Sequence, residues 1–262
     1  MNILITGTNG FIGKNLKNKL SDEYNIFTFE ESDIEGDWKS KLSNIFNKGV
    51  VCVFHVGACS DTLEQKVNYM MLLNYEVTKH ITDLCVEYKV PLIYSSSAAN
   101  YGTNDEYPSN LYGWSKYVGE GYVISNGGIG LRYFNVYGPH EDHKGDQASP
   151  VTKFIKQVQE DGEIKVFRTK ASRDFVHVED VCEVHYRMLH HDDSGIFNVG
   201  TGTSVSFKDI ADKMAENSGA KVKQISMPEK LKGQYQKFTQ ADISKLTAII
   251  GEMEWKQVLE CI

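Results

Sequence analysis

Tyr112 and Lys116 stand at i and i+4 in Tyr112-Gly-Trp-Ser-Lys116, so a helix would carry a phenol and an ammonium on one face. A nearby cation favours the phenolate and lowers a pKa that is ordinarily about 10, so such a tyrosine can exchange protons with an alcohol. A lone Tyr-x-x-x-Lys also arises on ordinary amphipathic surfaces, and its weight comes from what precedes it. Ser95-Ser96-Ser97 closes a short apolar run, where a hydroxyl such as that of Ser97 can hydrogen-bond a substrate oxygen. The plain alternative is a polar strand exit.

Near the start, Ile3-Leu4-Ile5-Thr6 runs into Gly7-Thr8-Asn9-Gly10-Phe11-Ile12-Gly13, which reads as strand, glycine turn and helix start. Gly7, Gly10 and Gly13 permit a tight turn and close approach of a pyrophosphate, whose charge the amides of a helix N-terminus favour. The spacing is G-x-x-G-x-x-G, and its place directly after the first strand marks it as a dinucleotide site. The second strand ends at Glu30. A carboxylate there accepts hydrogen bonds from adenosine ribose hydroxyls and repels a 2′-phosphate. The run from Glu30 to Asp37 holds no Lys or Arg, so NAD is expected over NADP, the alternative being a solvated acidic loop.

The elements that must position these groups alternate. Asn2 to Thr6, Asn25 to Phe29, Val50 to His55, Pro91 to Ser95 and Gly130 to Phe134 read as buried strands. Between them, Phe11 to Leu20, Trp38 to Phe46, Gln65 to Lys89 and Leu111 to Ser125 have helical spacing. Strand alternating with helix implies an α/β fold of Rossmann type, a doubly wound parallel sheet covered by helices. After Gly138 the rhythm changes: helices are expected at Val151 to Glu160, Val178 to His190, Phe207 to Asn217 and Ala241 to Ile250, with strands at Lys165 to Phe167, Phe197 to Gly200 and Val222 to Ser226. The expected organisation is a dinucleotide-binding domain over residues 1–139, to which 175–200 return. Residues 140–174 and 201–262 would form a smaller α/β substrate-binding lobe over the carboxyl edge of the sheet, where open α/β folds bind ligands.

Composition narrows the partners. With 28 Lys+Arg against 35 Asp+Glu in 262 residues, the formal charge is -7, which argues against general nucleic-acid binding. An anionic ligand then needs placed donors. No window reads as a signal peptide or membrane span, and no membrane partner is expected. Cys52, Cys59, Cys85, Cys182 and Cys261 form no C-x-x-C pair, so neither a metal site nor a disulfide framework is expected, and a cytoplasmic setting is.

The glycine turn, SSSAANYG at Ser95 to Gly102, YGWSK at Tyr112 to Lys116 and LRYFNVYGP at Leu131 to Pro139 together resemble the extended short-chain dehydrogenase/reductase family of nucleotide-sugar epimerases and dehydratases. Their order and spacing cover nearly the whole chain. FHVGACSDT at Phe54 to Thr62, YMMLLNY at Tyr69 to Tyr75, NVYGPHEDHKG at Asn135 to Gly145, RDFVHVEDV at Arg173 to Val181 and LKGQYQKFTQAD at Leu231 to Asp242 are similar to its ADP-heptose epimerase branch.

The resemblance implies roles at matching positions. Tyr112 and Lys144 match the acid/base pair, Lys116 the lysine that holds the nicotinamide ribose, and Ser97 the active-site hydroxyl. Phe11, Ile12, Val56, Gly57, Ala58, Cys59, Ser60, Asn74, Val136 and Lys144 match cofactor contacts. Asn135, Phe167, Arg173 and Tyr235 match substrate contacts, while Asp146 and Lys153 stand where that branch carries a serine and a histidine. The implied chemistry removes a side-chain hydroxyl proton as a hydride goes to the nicotinamide, then returns the hydride to the other face of the transient aldehyde. The resemblance favours NADP, against the Glu30 argument for NAD, and implies a homo-oligomer with a nucleotide-sugar substrate. Alternatives are another epimerase or dehydratase of the family, or a non-catalytic dinucleotide sensor. Ala98 and Ala99 replace the acidic residue of the dehydratases, and Lys144 has no counterpart in ring-carbon epimerases.

Overall fold

The computed structural model describes residues 1–103, 107–189, 191, 193–229 and 236–262. They form two compact units, Met1–Tyr133 with Val181–Asn198, and Phe134–Asp180 with Val199–Ile262.

The first unit is built on β1 (Asn2–Thr6), β2 (Asn25–Phe29), β3 (Val50–His55), β4 (Leu92–Ser97), β5 (Ile129–Tyr133) and β9 (Gly195–Val199), in the spatial order β2-β1-β3-β4-β5-β9. The β1–β2, β1–β3, β3–β4 and β4–β5 pairs are parallel. This is the doubly wound sheet expected from the alternation. Strand β3 lies directly beside β1, so the β2 side is one strand shorter than in a 3-2-1-4-5-6 sheet. The order reverses between β1 and β3, and ligands of open α/β sheets bind beyond the carboxyl ends at such a point.

Each helix of this unit buries a stripe at helical spacing: Leu42 and Phe46 from α2 (Trp38–Phe46), and Val77, Ile81, Leu84 and Cys85 from α4 (Val77–Tyr88). Helix α1 (Phe11–Leu20) adds Phe11, Leu16 and Leu20. The single helix expected over Gln65 to Lys89 is interrupted. Helix α3 (Val67–Met71) passes into a π-helical turn, Leu72–Glu76, before α4 begins. Leu73 and Asn74 are the buried residues of this turn. Helix α5 (Leu111–Ser125) starts at Asn110, whose side chain accepts the Gly113 N–H at 2.8 Å.

The second unit carries two small sheets. Strands β6 (Asn135–Tyr137), β8 (Ser172–His177) and β10 (Ser204–Ser206) lie in the order β10-β8-β6, and β7 (Glu163–Phe167) pairs in parallel with β11 (Lys221–Ile225). Helices α6 (Pro150–Asp161) and α8 (Phe207–Ser218) cover them, with Phe154, Ile164, Phe175, Phe207, Ile210 and Met214 in the core. Helix α7 (Val178–Met188) leads back into the first unit, while α9 (Ser244–Ile250) and α10 (Val258–Cys261) close the chain. Strand β6 pairs with β8, not with the large sheet. Residues 134–139, 175–180 and 199–200, expected in the first domain, belong to the second unit. Strands this short carry too few alternations to stand out in sequence.

Asp174 on β8 organises this unit's loops. Its fully buried carboxylate accepts the N–H groups of Thr201, Gly202 and Ala241 at 2.8, 2.9 and 3.0 Å and the Thr201 hydroxyl at 2.9 Å. Removing it leaves several buried donors without partners. Asp174→Ala is expected to cost about 3 kcal/mol of stability, read as a lower urea midpoint at unchanged slope.

Candidate active site

At the reversal point two backbone segments cross in near contact. Gly7 has φ +70°, and a Cβ placed on it would lie 2.5 Å from the Gly57 Cα. A Cβ on Gly13 would lie 2.1 Å from the Gly7 carbonyl oxygen, so the start of α1 packs directly on the turn. No side chain caps α1, and its first turn carries no acidic residue, which suits an anion at its N-terminus. Gly10, Phe11 and Ile12 lie in this turn, with Phe11 buried and Ile12 half-buried. Glu30 reaches the same turn from β2, accepting the Thr8 N–H at 2.9 Å, the Thr8 hydroxyl at 2.7 Å and the Asn9 N–H at 3.2 Å.

A buried chain of hydrogen bonds ties this crossing to the helices. The Gly57 N–H donates to Thr6 Oγ1, which bonds His55 Nδ1 at 2.8 Å, and His55 Nε2 bonds Thr78 Oγ1 at 2.8 Å. Thr78 spends its proton on the Asn74 carbonyl, so Nε2 carries the imidazole proton and Nδ1 accepts from Thr6. Burial, aided by the Lys116 ammonium, pushes His55 down to about 3, so the ring is neutral. Asn74 is fully buried, accepting the Cys59 N–H and donating to the Cys59 carbonyl and the Ser115 hydroxyl. It acts as a clamp on the segment holding Val56, Gly57, Ala58, Cys59 and Ser60. With no exposed surface, it can reach a cofactor only through that segment.

Ser97 and Tyr112 are brought close enough for the serine hydroxyl to favour the phenolate. Ser97 also N-caps the 3₁₀ turn Ala98–Tyr101 by accepting the Ala99 N–H at 3.1 Å. The other two serines turn to internal tasks: Ser95 bonds Tyr133, and Ser96 donates to Glu120 at 2.6 Å. The expectation that Lys116 lowers the Tyr112 pKa is overturned for the protein without ligand. Burial raises the phenol, and the Ser97 hydroxyl offsets this only in part. Lys116 is itself driven down to about 7 by burial, with Glu120 pulling it back. Its Nζ lies 4.1 Å from the centre of the Tyr94 ring. An ammonium removed from water loses more than a neighbouring phenol can return, which spacing alone could not indicate.

The other expected site residues lie in the second unit. Lys144 sits half-buried in the 3₁₀ segment Asp142–Gln147, with its Nζ 3.7 Å from Glu141 Oε1. Burial lowers its pKa, Glu141 raises it and Lys153 lowers it further, so Lys144 and Lys153 are brought within electrostatic reach. Asp146 is exposed, while Asn135, Val136 and Phe167 are half-buried. Arg173 is 6% exposed and turns inward, donating to the carbonyls of Ser172 and Gln236 with its guanidinium 5.6 Å from the Phe207 ring. Tyr235 lies outside the described residues. Among those residues no cluster of His, Cys, Asp or Glu could hold a metal, and no helix is long and apolar enough to cross a membrane.

Residues 3–200 match the model of the NAD dependent epimerase/dehydratase family. The chain belongs to that family. An ADP-L-glycero-D-manno-heptose-6-epimerase of Brachyspira hyodysenteriae is 37% identical over an alignment of 290 residues, covering 94% of this chain and 91% of the relative. The crystal structure of the Helicobacter pylori enzyme of the same name superposes with a TM-score of 0.83 at 26% identity, covering 99% of this chain and 93% of that one. A UDP-glucose 4-epimerase from Thermotoga maritima shares the fold with a TM-score of 0.87 at 24% identity, covering 99% and 96%.

The turn fits the dinucleotide of this epimerase family on its own geometry, because a side chain at Gly7 would fill the cradle and the first turn of α1 carries neither a capping side chain nor an acidic residue. Several supporting groups were not evident in the sequence. His55 and Thr78 look like ordinary strand and helix residues, and Glu120, which also accepts from Arg132 at 2.5 and 2.9 Å, looks like a surface acid on α5. Tyr133 is held by His185: the ring donates from Nδ1 to the Val181 carbonyl, so Nε2 accepts the phenol proton at 2.9 Å. Only the i+4 step from Lys116 to Glu120 hinted at one of them.

Lys116 supplies a test of sign. Its folded pKa lies below its unfolded one, so the unfolded chain binds more protons between about pH 7 and 10.5, and its contribution to stability rises with pH across that window. Lys116→Met is expected to flatten that rise and to make the ligand-free protein no less stable at pH 7. Thermal melts over the window check both outcomes.

Proposed function

We propose that this chain interconverts ADP-D-glycero- and ADP-L-glycero-D-manno-heptose by oxidising and re-reducing the side-chain carbon that bears the hydroxyl. The reading is carried by the likeness to the Brachyspira enzyme, which runs through the positions of Ser97, Tyr112, Lys116 and Lys144. A nicotinamide dinucleotide, when bound, supplies the hydride acceptor and donor.

The chain's own residues do the rest. Gly7, Gly10, Phe11, Ile12 and Gly13 receive the pyrophosphate, and the 56–60 segment with Val136 lines the cofactor. Tyr112 moves the proton of the substrate hydroxyl in one orientation of the sugar side chain, and Lys144 moves it in the other. Ser97, close to the phenol, holds the sugar oxygen. Lys116 binds ribose hydroxyls and, when charged, draws the raised Tyr112 pKa back toward use. Asn135, Asp146, Lys153, Phe167, Arg173 and Tyr235 form the substrate-side set. Of these, Arg173 would have to release a carbonyl to grip a phosphate.

Glu30 favours NAD, because its carboxylate holds the glycine turn where a 2′-phosphate would have to approach. Tighter binding of NADP than of NAD would overturn this. The exposed aromatic row of Tyr107, Trp114 and Tyr117 supports the homo-oligomer, and the free cysteines a reducing, cytoplasmic setting. Sedimentation is expected to give at least a dimer mass, and a monomer mass overturns that part.

Incubation with ADP-D-glycero-D-manno-heptose, followed by NMR of the side-chain configuration, is expected to show interconversion with no net change of cofactor. Failure to convert with cofactor bound overturns the heptose assignment. Tyr112→Phe and Lys144→Met are each expected to lower kcat about 100-fold or more, with the fold retained by both. Retained turnover in the double variant would remove the acid/base pair.

A further inference from the structure

Glu141 is 2% exposed, yet it lies in a polar loop between Gly138 and Pro150 and belongs to no site residue set given above. Its Oε1 accepts the Ser149 N–H at 2.7 Å, and its Oε2 accepts the hydroxyls of Ser149 and Thr152, each at 2.7 Å. Ser149 is the N-cap of α6, so Glu141 closes the loop onto the positive end of a 12-residue helix. Lys144 lies on the closed loop, with its Nζ 3.7 Å from the same carboxylate.

We propose that Glu141 is the positioning residue for Lys144: its buried carboxylate, held by Ser149 and Thr152, fixes the amine and governs how readily it takes up and releases a proton. This rests on the acid/base role given to Lys144 above. The role sets two demands that conflict. The amine must be neutral to accept a proton, and it must tolerate the charge once it has one. Burial works against the charge, and Lys153, facing it from α6, adds to that opposition. Glu141, from Lys144's own turn, works in its favour. Because the short contacts of Glu141 are taken by Ser149 and Thr152, the amine meets the carboxylate at longer range. The attraction stabilises the cation without a tight ion pair that would have to break in each cycle.

The test needs no substrate. Acetic anhydride labels only the neutral amine, and the extent of Lys144 acetylation against pH, read by peptide mass spectrometry, gives its protonation curve. In Glu141→Gln the curve is expected to move to lower pH by about tenfold in proton concentration. Lys153→Met is expected to move it the other way. Ser149→Ala, which removes a cap and keeps the charge, is expected to lower the melting temperature without any move of the curve to lower pH. Should Glu141→Gln fail to fold, Glu141→Asp, which retracts the carboxylate by one methylene, is expected to give a smaller move to lower pH. An unmoved curve in the Glu141 variants, or an equal move in Ser149→Ala, overturns the proposal.

With ADP-heptose as substrate, the limb of the kcat against pH profile that reports Lys144 should move in the same direction as the labelling curve. A uniform fall in kcat without movement would mean a merely structural role and also overturns the proposal. If the wild type fails to convert the heptose, the substrate assignment falls, while the labelling curves still decide whether Glu141 governs Lys144.

Discussion

Lys116 is an ammonium carried into the first unit until only 2% of it is exposed, and its surroundings answer that burial. The Tyr94 ring faces the charge at 4.1 Å. Glu120 supplies a carboxylate and is itself held by Ser96 and a bidentate Arg132. His55, the titratable neighbour that would add a second cation, is kept neutral by burial and by the lysine's own charge. Were any of these absent, the lysine would lose its charge or leave the interior, and the helix face it shares with Tyr112 would turn with it. The neutral imidazole also holds the Gly57 backbone through Thr6, so the same burial that tunes the lysine fixes the glycine crossing at the phosphate turn.

The second unit repeats the device with different parts. There the cation is Lys144, the carboxylate is Glu141, and the groups that immobilise the carboxylate are Ser149 and Thr152. In both units a lysine is partly stripped of water near a carboxylate whose close contacts are already committed. An ion pair free to close tightly would keep the amine charged and spent. A carboxylate already bonded elsewhere leaves burial free to lower the amine's pKa, which eases release of its proton.

Much of the scaffold was legible in the residues. Strands β1, β2 and β3 and helices α1, α2 and α5 begin and end where apolar period and flanking Gly, Asn and Asp place them. Harder to see were β6 and β10, because three residues cannot show a period, and β8, whose Ser, Arg, Asp and His interrupt its apolar residues. The π-turn at Leu72–Glu76 escaped for a related reason, since its effect is to break the helical period. Tyr112, Lys116 and Ser97 were legible as a constellation, and Ser97 does meet the phenol. The proton energetics were not: the Tyr112 pKa rises where the spacing implied a fall. Arg173 likewise carries its charge inward to backbone carbonyls.

By itself the sequence determined local matters: where a chain of alternating apolar runs must make strands and helices, where only glycine can turn, and which residue types could exchange a proton or receive a phosphate. These follow from properties of single residues and their near neighbours. Tertiary structure alone decided which polar groups are taken out of water and what then faces them. Glu120, Glu141, His55 and Asp174 are unremarkable acids and imidazole in the sequence, and each becomes a fixed electrostatic element only when distant strands and loops close over it. Desolvation and pairing depend on what lies within a few ångströms in space, and no local pattern encodes that distance.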